Sequence, residues 1–353
     1  MGSVSMSQGM TMEREAIGTV RPTLLDERAQ AELERDGYTI IDLLDADQVT
    51  ELHRQYEAAG PQPADPHEAC IDTFFSPDLA YKAKIHETVE RVMGPALESH
   101  LDRQHALSFS FANKWSSEKS SFGLHQDISV VDETKHRSVE VWCPLVDTDE
   151  ENGQLWVVPG SHKWRSVNRP IHRDRPPFWG VKERIVARHS VPLPLRAGQA
   201  IVFDHATYHF SYANRSDQPR LTAVCDLRPE EAEHVHYVRP QDSDEIDVYA
   251  ISDRFWVEVN PFNVSDEIQK FEHVGTVEYD VEPITDADLD QFVAEGRAVD
   301  HEPLQLGPIN PTDPWCHRCG TTEGVEGEVD AWLGNTILAC PSCASADDPS
   351  AVI

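Results

Sequence analysis

The sequence predicts a mainly β chain with helical flanks: an antiparallel sandwich or barrel of the jelly-roll (cupin-like) kind, followed by a small C-terminal metal-binding module. Three observations carry this. Near residue 105 the apolar period changes from helical to two, with Leu107, Phe109 and Phe111 alternating with Ser108 and Ser110. From there to residue 228 short alternating segments follow one another, separated by Gly, Pro, Asn and Asp turns. Four of the seven cysteines then stand in two C-x-x-C pairs near the C-terminus.

Residues 1–22 have no periodic apolar pattern and are expected to be a mobile leader that carries nothing. From Thr23 the pattern is helical, with Leu25, Ala29 and Leu33 spaced by four, and Gly37 ends it before a strand over 38–43. Asp45 and Gln48 form a capping-box start for a second helix whose stripe is Val49, Leu52 and Tyr56. Residues 61–77 are predicted as Pro-rich loop, and 81–93 as a third helix closed by Gly94 and Pro95. Strands are expected at 105–115, 138–146, 153–158, 190–194, 199–204, 206–213 and 221–228, and a late helix at 285–295. Residues 23–300 thus form one domain, 301–314 a linker with repeated prolines, and 315–345 the Cys-rich module.

With 353 residues, 39% apolar and 26% charged, the chain can bury a full core without staples. Its formal charge of −32 repels phosphate backbones and anionic membrane surfaces, so nucleic acid and membrane are not expected partners. The N-terminus lacks the apolar stretch of a signal peptide, and the expected compartment is the cytoplasm. Two blocks break the average. Residues 160–189 hold eight bases and two acids, whereas 230–300 hold twenty acids and four bases. The first reads either as a solvated loop or as a lid whose arginines meet an anionic small-molecule substrate.

Two histidines and one carboxylate on one face hold iron in non-haem oxygenases, leaving positions open for co-substrate and O2. An H-x-D pair suits a strand, because residues i and i+2 project to the same side. There are three such pairs: His100 with Asp102, His125 with Asp127, and His172 with Asp174. Only His125 and Asp127 lie between sheet strands and are followed by a strand bearing a third histidine, His209, with His205 as its rival. Arg220, eleven residues after His209, opens the next strand, where its guanidinium fork can hold a distal carboxylate. The order is the one a 2-oxoglutarate site requires.

At this point the sequence resembles the phytanoyl-CoA dioxygenase (PhyH-like) family of Fe(II)/2-oxoglutarate oxygenases over residues 25–228. The matching motifs are Gly37-Tyr38, the 43–48 segment, Leu124-His125-Gln126-Asp127, the 151–162 segment ending Pro159-Gly160-Ser161-His162, His209, the 214–217 turn and Pro219-Arg220. The resemblance implies a double-stranded β-helix with Fe(II) on His125, Asp127 and His209, and 2-oxoglutarate on Arg220. It adds Ser211, Trp142 and Asn113 as lining of the co-substrate pocket. It also implies decarboxylation of 2-oxoglutarate to succinate with O2 as the second co-substrate, and oxidation of a C–H bond of a small or medium organic molecule, as specialised metabolism uses. Related halogenases replace the carboxylate ligand by a small residue; Asp127 is present, which favours hydroxylation, desaturation or ring formation. A non-catalytic binding or sensor protein, and an oxygenase whose protein or carrier-tethered substrate is recruited by the tail, are the alternative classes. Oligomerisation is left open.

Cys316, Cys319, Cys340 and Cys343 form two C-x-x-C pairs twenty residues apart, the spacing of a tetrathiolate zinc ribbon, with a rubredoxin-like iron knuckle as the alternative. Four thiolates leave no open position, so the expected Zn(II) is structural. Cys70, Cys143 and Cys225 are expected to be buried small apolar residues.

Overall fold

The computed structural model describes residues 20–60, 70–164, 168–170, 177–240, 243–260, 264–279 and 282–304, with the backbone of 326–330 and 335–339. Helix α1 (Glu27–Asp36) starts where the Asp26 carboxylate accepts from Ala29 N, and ends at Gly37 in the left-handed region. Leu25 precedes the helix and is exposed, so of the expected stripe Ala29 and Leu33 are buried, with Gln30 beside them. Strand β1 (Tyr38–Asp42) follows, then α2 (Ala46–Ala59), whose Asp45/Gln48 capping box and buried Val49, Leu52 and Tyr56 match the expectation. Arg21, inside the expected leader, is instead fastened by ion pairs to Asp102 and Glu231.

Two corrections concern the segment before the sheet. Strand β2 (Cys70–Asp72) pairs with the first long strand, inside what reads as loop; residues 61–69 lie outside those described. Helix α3 (Leu79–His100) runs through Gly94 and Pro95. Met93 and Leu97 are both buried in the core, and Arg91 and Pro95 face solvent, where the carbonyl that loses its helical donor can meet water. Packing overrides the local stop signal, and His100 becomes the last residue of the helix.

The strands then build two antiparallel sheets. They are β3 (Gln104–Lys114), β4 (Phe122–His125), β5 (Val139–Pro144), β6 (Leu155–Val157), β7 (Val191–Leu193), β8 (Gln199–Asp204), β9 (His209–Ser211) and β10 (Arg220–Pro229). The larger sheet has the order β1-β8-β5-β10-β3-β2, the smaller β4-β9-β6-β7. Strand β4 is not among those the sequence predicts, and it ends on His125. Period-two alternation sends one face of the larger sheet, with Phe109, Phe111, Val141 and Ala223, against α1–α3. The opposite face, with Ala112, Trp142, Ile201, Phe203 and Val224, packs on Leu155, Val157 and Leu193 of the smaller sheet. This is the double-stranded jelly roll.

The acidic stretch holds a further sheet, β11 (Val235–Val238), β12 (Glu245–Ala250) and β13 (Glu272–Glu278), in that order. Acids on its exposed positions hide the alternation. The late helix Asp286–Ala294, capped by Thr285 and Asp288, covers the outer face of the smaller sheet through Leu289 and Phe292. In the tail, Glu326–Asp330 and Asn335–Ala339 pair antiparallel. Cys316, Cys319, Cys340 and Cys343 lie outside the described residues, as do His172 and Asp174. Cys143 and Cys225 are buried, whereas Cys70 is half-buried.

Candidate active site

Strand register brings the predicted metal residues together. His125 at the end of β4 pairs directly with His209 at the start of β9, and both side chains point between the sheets, because their neighbours Leu124 and Phe210 pack on the outside. The imidazole centroids are 4.1 Å apart. Asp127, two residues beyond His125, places Oδ1 3.8 Å from His125 Nε2 and 3.9 Å from His209 Nε2. One ligand atom from each of the three lies within 4.8 Å of the others. His205 is excluded: its Nε2 faces Asp226 Oδ1 at 3.3 Å and its Nδ1 faces Ser138 Oγ. Its main chain still matters, since His205 O accepts from Asp127 N at 3.1 Å.

The donor set fits a metal. Nδ1 of His125 lies 2.8 Å from Gly123 O and Nδ1 of His209 3.0 Å from Thr207 O. A carbonyl can only accept, so both Nδ1 atoms carry the proton and both Nε2 lone pairs remain for a ligand bond. Burial, then the neighbouring His209, lowers the His125 pKa to about 3, and burial lowers that of His209 to about 4. Asp127 is raised, chiefly by burial, and its buried Oδ2 has no hydrogen-bond partner. Two neutral imidazoles beside a carboxylate with an orphaned oxygen are what a divalent cation completes. The segment 158–161 braces this strand: Tyr208 N donates to Ser161 Oγ at 2.8 Å and Val158 N to Tyr208 O at 2.8 Å.

Arg220 opens β10 on the same inner face. Its guanidinium lies 4.8 Å over the Trp142 ring, Nη1 donates to Gly153 O, and the buried Nε has no partner. Gly153 sits at φ 75°, and a Cβ there would meet Tyr212 O at 2.5 Å, so glycine is required for this approach. Lys114, directly opposite Arg220, is fully buried; Nζ donates to Ser211 Oγ at 2.6 Å and to Tyr212 O at 2.8 Å. Burial lowers Arg220 to about 10, and burial and then Arg220 lower Lys114 to about 7. Of the predicted lining, Ser211 and Trp142 join this group. Asn113 does not: it occupies the face of β3 that carries Phe109 and Phe111 against the helices, and its amide bonds Tyr56.

Sequence reasoning missed Lys114. Its signal was parity, because it shares the face of Ser108, Ser110 and Ala112, but a lysine closing a strand reads as a solvated end. It also missed the acidic far end of the same face, where Glu140 of β5 pairs with Asp226 of β10, and Ser108 Oγ donates to Asp226 Oδ2 at 2.5 Å. Burial and then Asp127 hold Glu140 well above the usual carboxylate range. The described part of the basic insertion has its arginines paired within the chain. Among its described bases, Arg169 is buried against Glu133, Arg184 pairs with Asp286 and Asp290, and Arg188 with Asp300. Arg184 and Arg188 thus join the basic block to the acidic one.

A jelly roll with two histidines and an aspartate on its inner face, beside a buried pair of cations, offers three ligand atoms for a metal and a corner that suits an anion. The chain belongs to the phytanoyl-CoA dioxygenase (PhyH) family, whose model matches residues 33–222. Phytanoyl-CoA dioxygenase domain-containing protein 1 of Mus musculus is 35% identical over 110 residues, 29% of this chain and 38% of that protein. Phytanoyl-CoA dioxygenase 1 of Oryza sativa subsp. japonica is 32% identical over 103 residues, 27% of this chain and 34% of that protein. The matches thus span little more than a third of the length of these relatives. Among solved structures, the epimerase SnoN in complex with Fe3+, alpha ketoglutarate and nogalamycin RO is 23% identical, with a TM-score of 0.43 over 62% of this chain and 87% of that one.

Proposed function

We propose that this chain is a hydroxylase of an unactivated C–H bond in a small or medium organic molecule, with His125, Asp127 and His209 holding Fe(II), and Arg220, Lys114 and Ser211 holding 2-oxoglutarate. The observation that carries it is the buried cation pair. Lys114 and Arg220 face one another with no carboxylate among the described residues paired to either. Two buried positive charges side by side are costly unless an anion joins them, and a dicarboxylate end reaching into this corner supplies it. Arg220 offers its free Nε as a donor, while Lys114 and Ser211 present a second donor pair from the facing strands.

When bound together, iron and 2-oxoglutarate supply the oxidising power, drawn from O2, that removes hydrogen from a C–H bond. The chain's own part is geometric and electrostatic. The Nδ1–H bonds to Gly123 and Thr207 fix the imidazole planes, and the packed inner face with Phe203 and Val157 keeps bulk water from the ligands. Phe203 lies edge-on to His209 with centroids 4.8 Å apart, which limits the ring's rotation.

The test is succinate formation from 2-oxoglutarate by anaerobically Fe(II)-loaded protein on admission of O2, beside His125→Ala and Arg220→Ala. Slow turnover lost in both variants supports the reading. A wild-type chain that binds neither Fe(II) nor 2-oxoglutarate refutes it and leaves a binding protein on an oxygenase fold. For the tail, the C-x-x-C spacing supports a structural zinc on Cys316, Cys319, Cys340 and Cys343. Metal analysis beside Cys316→Ser and Cys343→Ser tests it. No helix among the described residues is long and apolar enough to cross a membrane.

A further inference from the structure

The main chain of Asp127 is held at both ends. His205 O accepts from its N–H at 3.1 Å, and Arg169 Nε donates to its carbonyl at 2.6 Å. Arg169 arrives from the insertion, some forty residues further along the chain, and is itself held. Its Nη1 and Nη2 form a two-pronged pair with Glu133 Oε2 and Oε1 at 2.6 and 2.7 Å. The two side chains are only 9% and 2% exposed. Main-chain bonds lock the same contact, since Arg169 N donates to Ser129 Oγ at 2.7 Å and Ser129 N to Arg169 O at 3.0 Å. Asn168, at φ 56°, turns so that its Oδ1 accepts from Glu133 N at 3.2 Å. A non-glycine residue in that region marks a turn the surroundings impose.

The carbonyl and N–H fix the peptide planes on either side of Asp127 and hence the direction of its Cα–Cβ bond. We propose that Arg169, anchored by Glu133, is a positioning residue for metal binding: it aims the Asp127 carboxylate at the two histidine Nε2 atoms. The proposal rests on the reading of His125, Asp127 and His209 as the metal site. A lysine would not serve, because one ammonium cannot bond the carbonyl through one edge while presenting a parallel fork to Glu133. Since the buried carboxylate of Glu133 would be left unpaired by Arg169→Met, a loss of stability accompanies that change and has to be separated from positioning.

The experiment titrates Co(II), whose visible absorption reports coordination geometry without turnover, into the full-length chain and into Arg169→Met, Arg169→Lys, Glu133→Gln and Glu133→Ala. Leu52→Ala, in the core between α2 and the far face of the larger sheet, serves as a destabilised control. Metal bound to outer-shell variants is expected to weaken by about 10–100-fold. The expected result is a Co(II) Kd raised on that scale in Arg169→Met with an altered spectrum, partial recovery in Glu133→Gln relative to Glu133→Ala, and no recovery in Arg169→Lys. The control should keep the wild-type Kd and spectrum. If Arg169→Met does not fold, Glu133→Gln against Glu133→Ala carries the comparison. A Kd within twofold of wild type in the folded variants, or an equal loss in Leu52→Ala, overturns the proposal. Wild-type protein that binds no Co(II) overturns the metal reading itself.

Discussion

Lys114 and Arg220 stand directly opposite one another on the β3–β10 ladder, both buried and both on the inner face of the larger sheet. Like charges in that position destabilise a sheet, and their burial removes the water that would screen them. If the pair holds the anion of the proposed function, function and stability should move in opposite directions. Lys114→Met and Arg220→Met are each expected to weaken 2-oxoglutarate binding by about 10–100-fold, the loss of one charge-assisted hydrogen bond. Each should also raise the melting midpoint of the metal-free chain. Calorimetric titration and thermal unfolding of the same samples decide this; a lowered midpoint with binding intact would refute it.

The same lysine predicts a proton. With its pKa lowered to about 7 by burial and by Arg220, Lys114 is mostly neutral at pH 8 in the free protein. A dianion beside it favours the ammonium form, so binding 2-oxoglutarate at pH 8 should take up a proton from the buffer. Enthalpies measured in buffers of different ionisation heat should give an uptake between zero and one, falling towards zero below pH 6 and absent in Lys114→Met. Proton release at pH 8 would contradict the assignment.

The cluster of His125, Asp127 and His209 was legible in the sequence because strand geometry leaves few ways to bring two histidines and a carboxylate to one face, and because Arg220 follows at the next strand. The register that sets His125 opposite His209 was not, since β4 is too short to show alternation. Helix α3 outruns its Gly94-Pro95 stop because the turn that buries Met93 and Leu97 outweighs a local signal. Charge was the most misleading. Within the basic insertion, Asp286, Asp290 and Asp300 take Arg184 and Arg188, and no local pattern announces a partner a hundred residues away. Asn113 lies one step of parity away: its neighbour Lys114 has the face that Arg220 shares.

His236 predicts the acid limb of stability. It is 1% exposed, neither ring nitrogen has a hydrogen-bond partner, and it lies among Phe255 and Trp256. Burial, and then His234, lower its pKa to about 3 from 6.5. The unfolded chain therefore binds a proton near pH 6.5 that the folded chain refuses until about pH 3, and stability is lost as pH falls through that window. His236→Phe keeps the ring and removes both orphaned nitrogens. It should stabilise the chain at pH 7.5 and more so at pH 5, read as a rise in urea midpoint. An unchanged difference between the two pH values would show that this ring does not titrate as described.

The helix Asp286–Ala294 tests which force holds the acidic segment to the body. Arg184 reaches Asp286 and Asp290, but those carboxylates are 73% and 72% exposed, and exposed pairs contribute about 0.2–1 kcal/mol. Phe292 is 3% exposed and stacks on Trp164 with centroids 5.0 Å apart, and truncating such a ring costs about 3–5 kcal/mol. Arg184→Ala should thus lower unfolding stability by less than about 1 kcal/mol and Phe292→Ala by about 3 kcal/mol or more. Denaturant titrations at low salt and in 0.5 M NaCl separate the two, because screening weakens an exposed pair and leaves apolar burial intact. If Arg184→Ala rivals Phe292→Ala at low salt and the gap closes on adding salt, the seam is electrostatic. The stacked aromatics would then be a consequence of docking, not its cause.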